Sequence, residues 1–255
     1  MPVGRIGIGV AADGARVQDS ARKAGIDSHV IFYSKPGLLD AGRDLEIVED
    51  GEPWKVLVED LYTGKIDAAV RGTLPSGATL RALREAAGVD HLERAALLED
   101  GKGHRFLLAP VGIDEGWTVV DRVAIARRTK ELAAILGLDG EVAILSGGRL
   151  SDAGRHPRVD ESLAQAELIA RLTGFPHFEI LIEDAAEKCS VIIAPDGICG
   201  NLVFRTLALL GCGHGHGAPV LNIDRIFIDT SRASPGYTNA IRLAEFLVKG
   251  RKTRY

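Results

Sequence analysis

Ser190-Val191-Ile192-Ile193-Ala194, stopped by Pro195-Asp196-Gly197, opens the stretch on which the fold turns. A short apolar run bounded by breakers reads as a buried strand. Gly200 through Gly211 then reads as a helix closed by glycine, and a glycine-rich loop runs on to Pro219. A second strand, Arg225-Ile226-Phe227-Ile228-Asp229, delivers Thr230-Ser231-Arg232. Twice, then, a buried strand ends in small, polar or basic residues. Ligands of open α/β sheets bind outside the carboxyl ends of strands, so these two ends are expected to build the pocket.

The same grammar extends outward. Arg5 to Val10 is a predicted strand, Gly14 to Lys23 a helix, Ser28 to Tyr33 a strand, Glu46 to Gly51 a short strand and Trp54 to Thr63 a helix. Gly7-x-Gly9 imitates the start of a dinucleotide fingerprint, but both glycines fall inside the strand and Ala12 stands at the third position. Ile66 to Val70 is a strand feeding Arg71-Gly72-Thr73-Leu74-Pro75-Ser76-Gly77, with a helix from Ala78. Arg105 to Pro110 and Glu141 to Leu145 are strands separated by a long helix, Val119 to Leu136. Asp160 to Leu172 is a helix, Glu179 to Glu183 a strand and Ala185 to Lys188 a short helix. Strands alternating with helices imply βαβ units and mainly parallel sheets.

A chain of 255 residues with 46% hydrophobic and 26% charged residues is large enough for a substantial core. A net charge of −4 gives no general attraction to nucleic acid or membranes. No apolar run approaches a membrane span and no secretory signal is visible, so the expected location is the cytoplasm. Three cysteines do not suggest a disulfide framework.

Three predicted strand ends carry an arginine beside hydroxyl or glycine residues: Arg71 with Thr73 and Ser76, Arg149 with Ser146, and Arg232 with Ser231. Arginine grips phosphate or carboxylate with two parallel bonds, and small neighbours let backbone amides approach. These residues, with Asn201, are the candidate anion-binding set. For the Arg71 loop the competing reading is an ordinary βα loop with a capping hydroxyl; for the three arginines together it is that 31 basic residues in 255 place some at strand ends by chance. His214 and His216 are candidate acid/base groups, as is Asp196, for which a capping role competes. Cys199, Cys212, His214 and His216 could also ligate a metal such as zinc, although their spacing matches no common zinc pattern, and no metal is assigned.

Val70-Arg71-Gly72-Thr73 through Leu80-Arg81-Ala82-Leu83, Pro195-Asp196 through Gly200-Asn201 to Arg205, and Ile228-Asp229-Thr230-Ser231-Arg232 resemble, in order and spacing, the phosphate acetyl/butyryltransferase superfamily. Phe106 to Gly116 and the Asp196–Arg205 block resemble one branch of it in particular, the methyltransferase subunit X family of methanogens, also called methanogenesis marker protein four. The resemblance implies a two-domain α/β phosphotransacetylase architecture of the isocitrate/isopropylmalate dehydrogenase-like type, with an interdomain cleft. Its first domain would comprise residues 1–100 completed by 224–255, and its second residues 101–223. It implies a transferase tied to methanogenesis, with Arg71, Ser231 and Arg232 as contacts to phosphate or coenzyme A, and a homodimer. A phosphate acyltransferase and a non-catalytic binding or assembly subunit are the alternatives. In the acetyltransferases an aspartate beyond the Ser-Arg pair acts as base; here Ala233 to Ala240 holds no carboxylate.

Overall fold

The computed structural model describes residues 3–40 and 45–252. The chain forms two compact units, Met1–Leu92 with His216–Tyr255, and Glu93–Gly215.

The first unit is built on a six-stranded sheet. Its strands are β1 (Arg5–Val10), β2 (His29–Ser34), β3 (Glu46–Glu49), β4 (Ala68–Val70), β10 (Ala218–Pro219) and β11 (Ile226–Asp229), in the order β10-β11-β4-β1-β2-β3. All neighbours are parallel except β10, which runs antiparallel to β11. Helices α1 (Gly14–Ala24), α2 (Pro53–Thr63), α3 (Ser76–Ala87) and α8 (Thr238–Lys252) complete the unit. From β1 the chain winds one way to β3 and then returns to lay β4 on the other side of β1. The point where strand order reverses therefore lies between β1 and β4.

Residue alternation in β1 explains the two glycines within it. Ile6, Ile8 and Val10 are wholly buried on one face. On the other, a Cβ on Gly7 would come within 2.7 Å of Leu57 and Ile66, and one on Gly9 within 2.1 Å of Leu74. The glycines admit neighbouring side chains against the strand, and no cofactor is needed to account for them. Leu57, Leu61, Ile66, Tyr33 and Phe227 belong to one buried cluster on this sheet.

The second unit has a five-stranded sheet in the order β7-β8-β6-β5-β9, formed by β5 (Ala96–Glu99), β6 (Arg105–Ala109), β7 (Glu141–Ile144), β8 (Cys189–Ile193) and β9 (His214–Gly215). β6, β8 and β7 are mutually parallel, while β5 is antiparallel to β6 and to β9. Helices α4 (Val119–Ile135), α5 (Pro157–Thr173), α6 (Ile182–Lys188) and α7 (Gly197–Arg205) follow the parallel strands or precede the next one. α7 passes into a π-helical turn at Thr206–Leu210.

Glu179 to Glu183, expected as a strand, is instead a turn leading into α6. Glu179 takes a left-handed φ of 57°, which no strand accommodates. Ladder contact is made just upstream, where His177 bridges Ile144 at the edge of β7. The stretch expected to be a plain glycine loop contains β9 and β10. No described helix is long and apolar enough to cross a membrane.

Candidate functional site

In the first unit the strand ends at the reversal point are tied by one hydroxyl. Thr73 Oγ1 accepts from the amides of Ala11 (2.8 Å) and Ala12 (3.2 Å) and donates to the Ala12 carbonyl at 3.0 Å. Thr73 therefore fixes the loop after β4 against the loop after β1. Arg71, only 4% exposed, turns inward. Its guanidinium donates to Asp229, to the Thr230 carbonyl, and to the Leu74 carbonyl at 2.8 Å. Asp229 balances its charge, so Arg71 braces β4 against β11 as well as lending positive charge to the edge. A buried pair of this kind is costly to break from one side, because the survivor is left without a counter-charge.

Above this brace lie groups with fewer commitments. Ser231 Oγ accepts from the amide of Ala233 at 3.2 Å, and Arg232 is exposed. Arg16, in the first turn of α1, donates to Asp13 at 2.8 Å and to the Ser234 carbonyl at 3.0 Å, and its guanidinium sits 5.6 Å from the Tyr237 ring centre. Its Nε and the Tyr237 hydroxyl are buried without a hydrogen-bond partner. Burial raises the Tyr237 pKa, opposed by the nearby charges of Arg16, Arg71 and Arg232. Neither α1 nor α3 has a side-chain N-cap, so the partial positive charge of both N-termini faces the same strand ends. Ser76 occupies the first turn of α3. This edge has the chemistry of an anion cradle: basic side chains, two helix N-termini and donors in search of acceptors.

In the second unit Asp196 caps α7, accepting from the Cys199 amide at 2.8 Å and from the Cys199 thiol at 3.4 Å. Burial, and then the Asp196 carboxylate, pushes that thiol up to about 11, far from a thiolate at neutral pH. Asn201 donates to the Val111 carbonyl at 2.9 Å, stitching α7 to the turn after β6. That fit is close: a Cβ on Gly200 would stand 1.9 Å from the Pro110 carbonyl oxygen. Beside it Arg122, 1% exposed, donates to Gln165 and keeps an unpartnered Nε; burial lowers its pKa, opposed by Asp196. At the end of β7, Ser146 Oγ donates to the Gly148 carbonyl at 2.9 Å and lies 2.8 Å from His177 Nε2, while Arg149 is exposed.

Arg71, Thr73, Ser76, Ser231 and Arg232 thus share the carboxyl edge of the first sheet. Ser146, Arg149, Asp196 and Asn201 follow the parallel strands of the second. His214 does not join them. It pairs with Glu99, which pairs with Arg105 at the amino end of β6. Four residues of strand, about 13 Å at 3.3 Å per residue, separate that level from Ala109. His216 belongs to the first unit. Among the described residues no group of three His, Cys, Asp or Glu side chains is placed to hold a metal, so Cys199, Cys212, His214 and His216 form no such cluster. Arg16, Tyr237, His177 and Glu167 were not singled out from the sequence. Only Arg16 carried a local signal, as a cation in the first turn after a strand.

No family model matches the chain. It is 44% identical over 251 residues to the Methanosarcina acetivorans protein named "Putative methyltransferase mtx subunit X", covering 95% of this chain and 90% of that one. The Methanosarcina barkeri protein of the same name is 42% identical, covering 98% and 95%. An uncharacterized methyltransferase of Methanopyrus kandleri is 41% identical, covering 96% and 100%. Among solved structures, a branched-chain phosphotransacylase from Enterococcus faecalis matches with a TM-score of 0.76 at 18% identity, covering 97% of this chain and 99% of that one. A Streptococcus pyogenes phosphotransacetylase matches at 0.66 and 18%, covering 97% and 94%. These likenesses show a phosphotransacetylase-type α/β fold with mostly parallel sheets. With more than 40% identity to relatives over nearly its whole length, the chain belongs to the mtx subunit X family.

Proposed function

We propose that this protein is a methyltransferase subunit of methanogenesis, acting on an anionic or phosphorylated ligand held in the interdomain cleft that the family resemblance implies. The two compact units are its two domains, and it works in the cytoplasm as a homodimer. One observation carries the ligand chemistry: Arg16, Arg71 and Arg232 gather with two uncapped helix N-termini where the strand order of the first sheet reverses. In this reading Arg232 and Arg16 contact the anion, Ser231 and the first turn of α3, with Ser76, add neutral donors, and Arg71 with Thr73 holds the loops in place. Ser146, Arg149 and Asn201 serve the second unit's share of the ligand. The methyl-transfer role comes from the names of the relatives.

A thermal-shift series with phosphate, coenzyme A and coenzyme M tests this reading, with Arg232→Ala as control. A ligand binding only the folded state at a hundred times its Kd adds about 2.7 kcal/mol of stability. That corresponds to a Tm rise of roughly 5–10 °C for a chain of this size. The expected result is a rise with at least one anion that Arg232→Ala abolishes. No rise with any of them, or an equal rise in the variant, overturns the cradle. A response to coenzyme A and phosphate alone, with turnover of acyl phosphate, replaces methyl transfer by acyl transfer.

A further inference from the structure

The amino-terminal edge of the first sheet, at the far end of its strands from the cradle, carries a pocket of about 210 Å³. Leu61, Ile66, Ile226 and Val248 give it an apolar base, and Asp67, Arg225, Arg251 and Lys252 stand around it. Two neighbouring parallel strands start here, since Ile66 and Asp67 precede β4 and Arg225 precedes β11. Val248 and Arg251, three residues apart, share one face of α8. The cations are unequally answered. Arg225 pairs with Asp224 at 2.9 Å, and its guanidinium lies 5.3 Å from the Tyr62 ring centre. Lys252 pairs with Asp67 at 3.1 Å and donates to the Val3 carbonyl at 2.8 Å. Arg251, exposed, donates to the Asp224 carbonyl at 2.6 Å, and no carboxylate among the described residues pairs with it. Cations in the last turn of a helix ordinarily offset its dipole, which accounts for Lys252 and for Lys249, paired with Asp27 and Glu245. That role does not account for Arg225, which comes from a separate segment, or for an unpaired guanidinium at the rim of an apolar pocket.

We propose that this pocket binds a small monocarboxylate with an apolar body, its carboxylate on Arg251 and its body against Leu61, Ile66, Ile226 and Val248. The site is separate from the anion cradle and goes beyond it: Asp67 and Arg71 flank β4 on opposite sides, four residues or about 13 Å apart. Charge selects the valence. Two of the three cations already have carboxylates, so a single negative charge satisfies the third. A dianion such as phosphate would also meet Asp67, Asp224 and the partially negative carbonyl ends of α2 and α8, all of which repel it. Arg251 spends Nη2 on the Asp224 carbonyl and keeps Nε and Nη1 as donors, the planar arrangement that suits a carboxylate. The volume is that of roughly seven waters at about 30 Å³ each, so the ligand is of the size of hexanoate rather than of a nucleotide.

Titration of the isotope-labelled full chain with hexanoate, followed by amide chemical shifts, tests the proposal. The expected result is a saturable set of shifts confined to residues 61–67, 224–226 and 248–252. Arg251→Met keeps the aliphatic stem of an exposed side chain and with it the fold; it should weaken binding about tenfold or more, the scale of a lost hydrogen bond to a charged group. Hexanol, which has the same body without the carboxylate, should bind more weakly by a similar factor. The absence of saturable shifts at millimolar hexanoate overturns the site, as does equal affinity in Arg251→Met, which would place the ligand elsewhere. Equal binding of hexanol, or tighter binding of inorganic phosphate at the same amides, overturns the assignment of a monocarboxylate.

Discussion

A single hydroxyl, that of Thr73, holds two loops together at the reversal point of the first sheet. Thr73→Val keeps the shape and strips the acceptor from two amides, so urea denaturation should show a loss of about 1–3 kcal/mol. Thr73→Ser should recover most of it, and a flat result for valine would mean water replaces the hydroxyl. Glu245 does similar work at the start of β2, accepting from the amides of Asp27 and Ser28 and the Ser28 hydroxyl, each at 2.8 Å, and from Lys249 at 3.0 Å. Burial alone would raise its pKa, but bonds from Lys249 and Ser28 outweigh that and hold the carboxyl below the usual glutamate value of 4.5. The folded state therefore binds this proton less readily than the unfolded chain. Its stabilisation is complete above about pH 4.5 and is lost as pH falls through the folded pKa. Melts from about pH 6 down to pH 3 should show wild type and Glu245→Gln converging as acid is added; a constant gap would count against the assignment. At this scale, residues such as Arg71, Thr73 and Arg232 were legible because strand ends announce themselves in sequence. Arg71 shows the limit: its type and place were readable, its inward turn toward Asp229 was not. His177 and Glu167 had no local signature, since only the folded edge of β7 brings them to Ser146.

Among the elements, α7 depends on having no side chain at Gly200. An alanine there would drive its Cβ to 1.9 Å from the Pro110 carbonyl oxygen, a backbone atom that has no rotamer to yield. Gly200→Ala should cost about 1–3 kcal/mol or more and disturb the Asn201 bond to Val111; chemical denaturation measures it. The parallel strands and their following helices were readable because apolar runs ended at glycine or polar clusters. β5 was missed: its four residues are short, and antiparallel pairing with β6 and β9 supplies the ladder that its sequence does not advertise. Residues 179–183 misled in the opposite sense. Their short apolar run suits a strand, but a positive φ at Glu179 ends extended backbone, and α6 starts at Ile182 with Glu183 and Asp184 in its first turn.

On the scale of the whole molecule, the first unit is assembled from both flanks of the second. The α/β character followed from residue patterning alone, while the joining of distant segments was suggested only by resemblance, since nothing in local sequence records which strands will pair. Residues 93–215 expressed alone should retain a cooperative thermal transition, because every strand of their sheet lies within the segment. Residues 1–92 alone should not, since β4 would lack β11 and the unit would lack α8. Circular dichroism melts of the two fragments decide the matter.

That discontinuity also sets a timetable during translation. β4, only three residues long, leaves the ribosome with one edge bare, and its partner β11 begins only at Ile226. At 5–20 residues per second the wait is roughly ten to thirty seconds. The inserted unit has all its strands in hand before the host sheet can close. Newborn chains therefore complete the later segment first, and for that interval the nascent host sheet carries an adhesive strand edge that a chaperone or a crowded polysome would meet before β11 does.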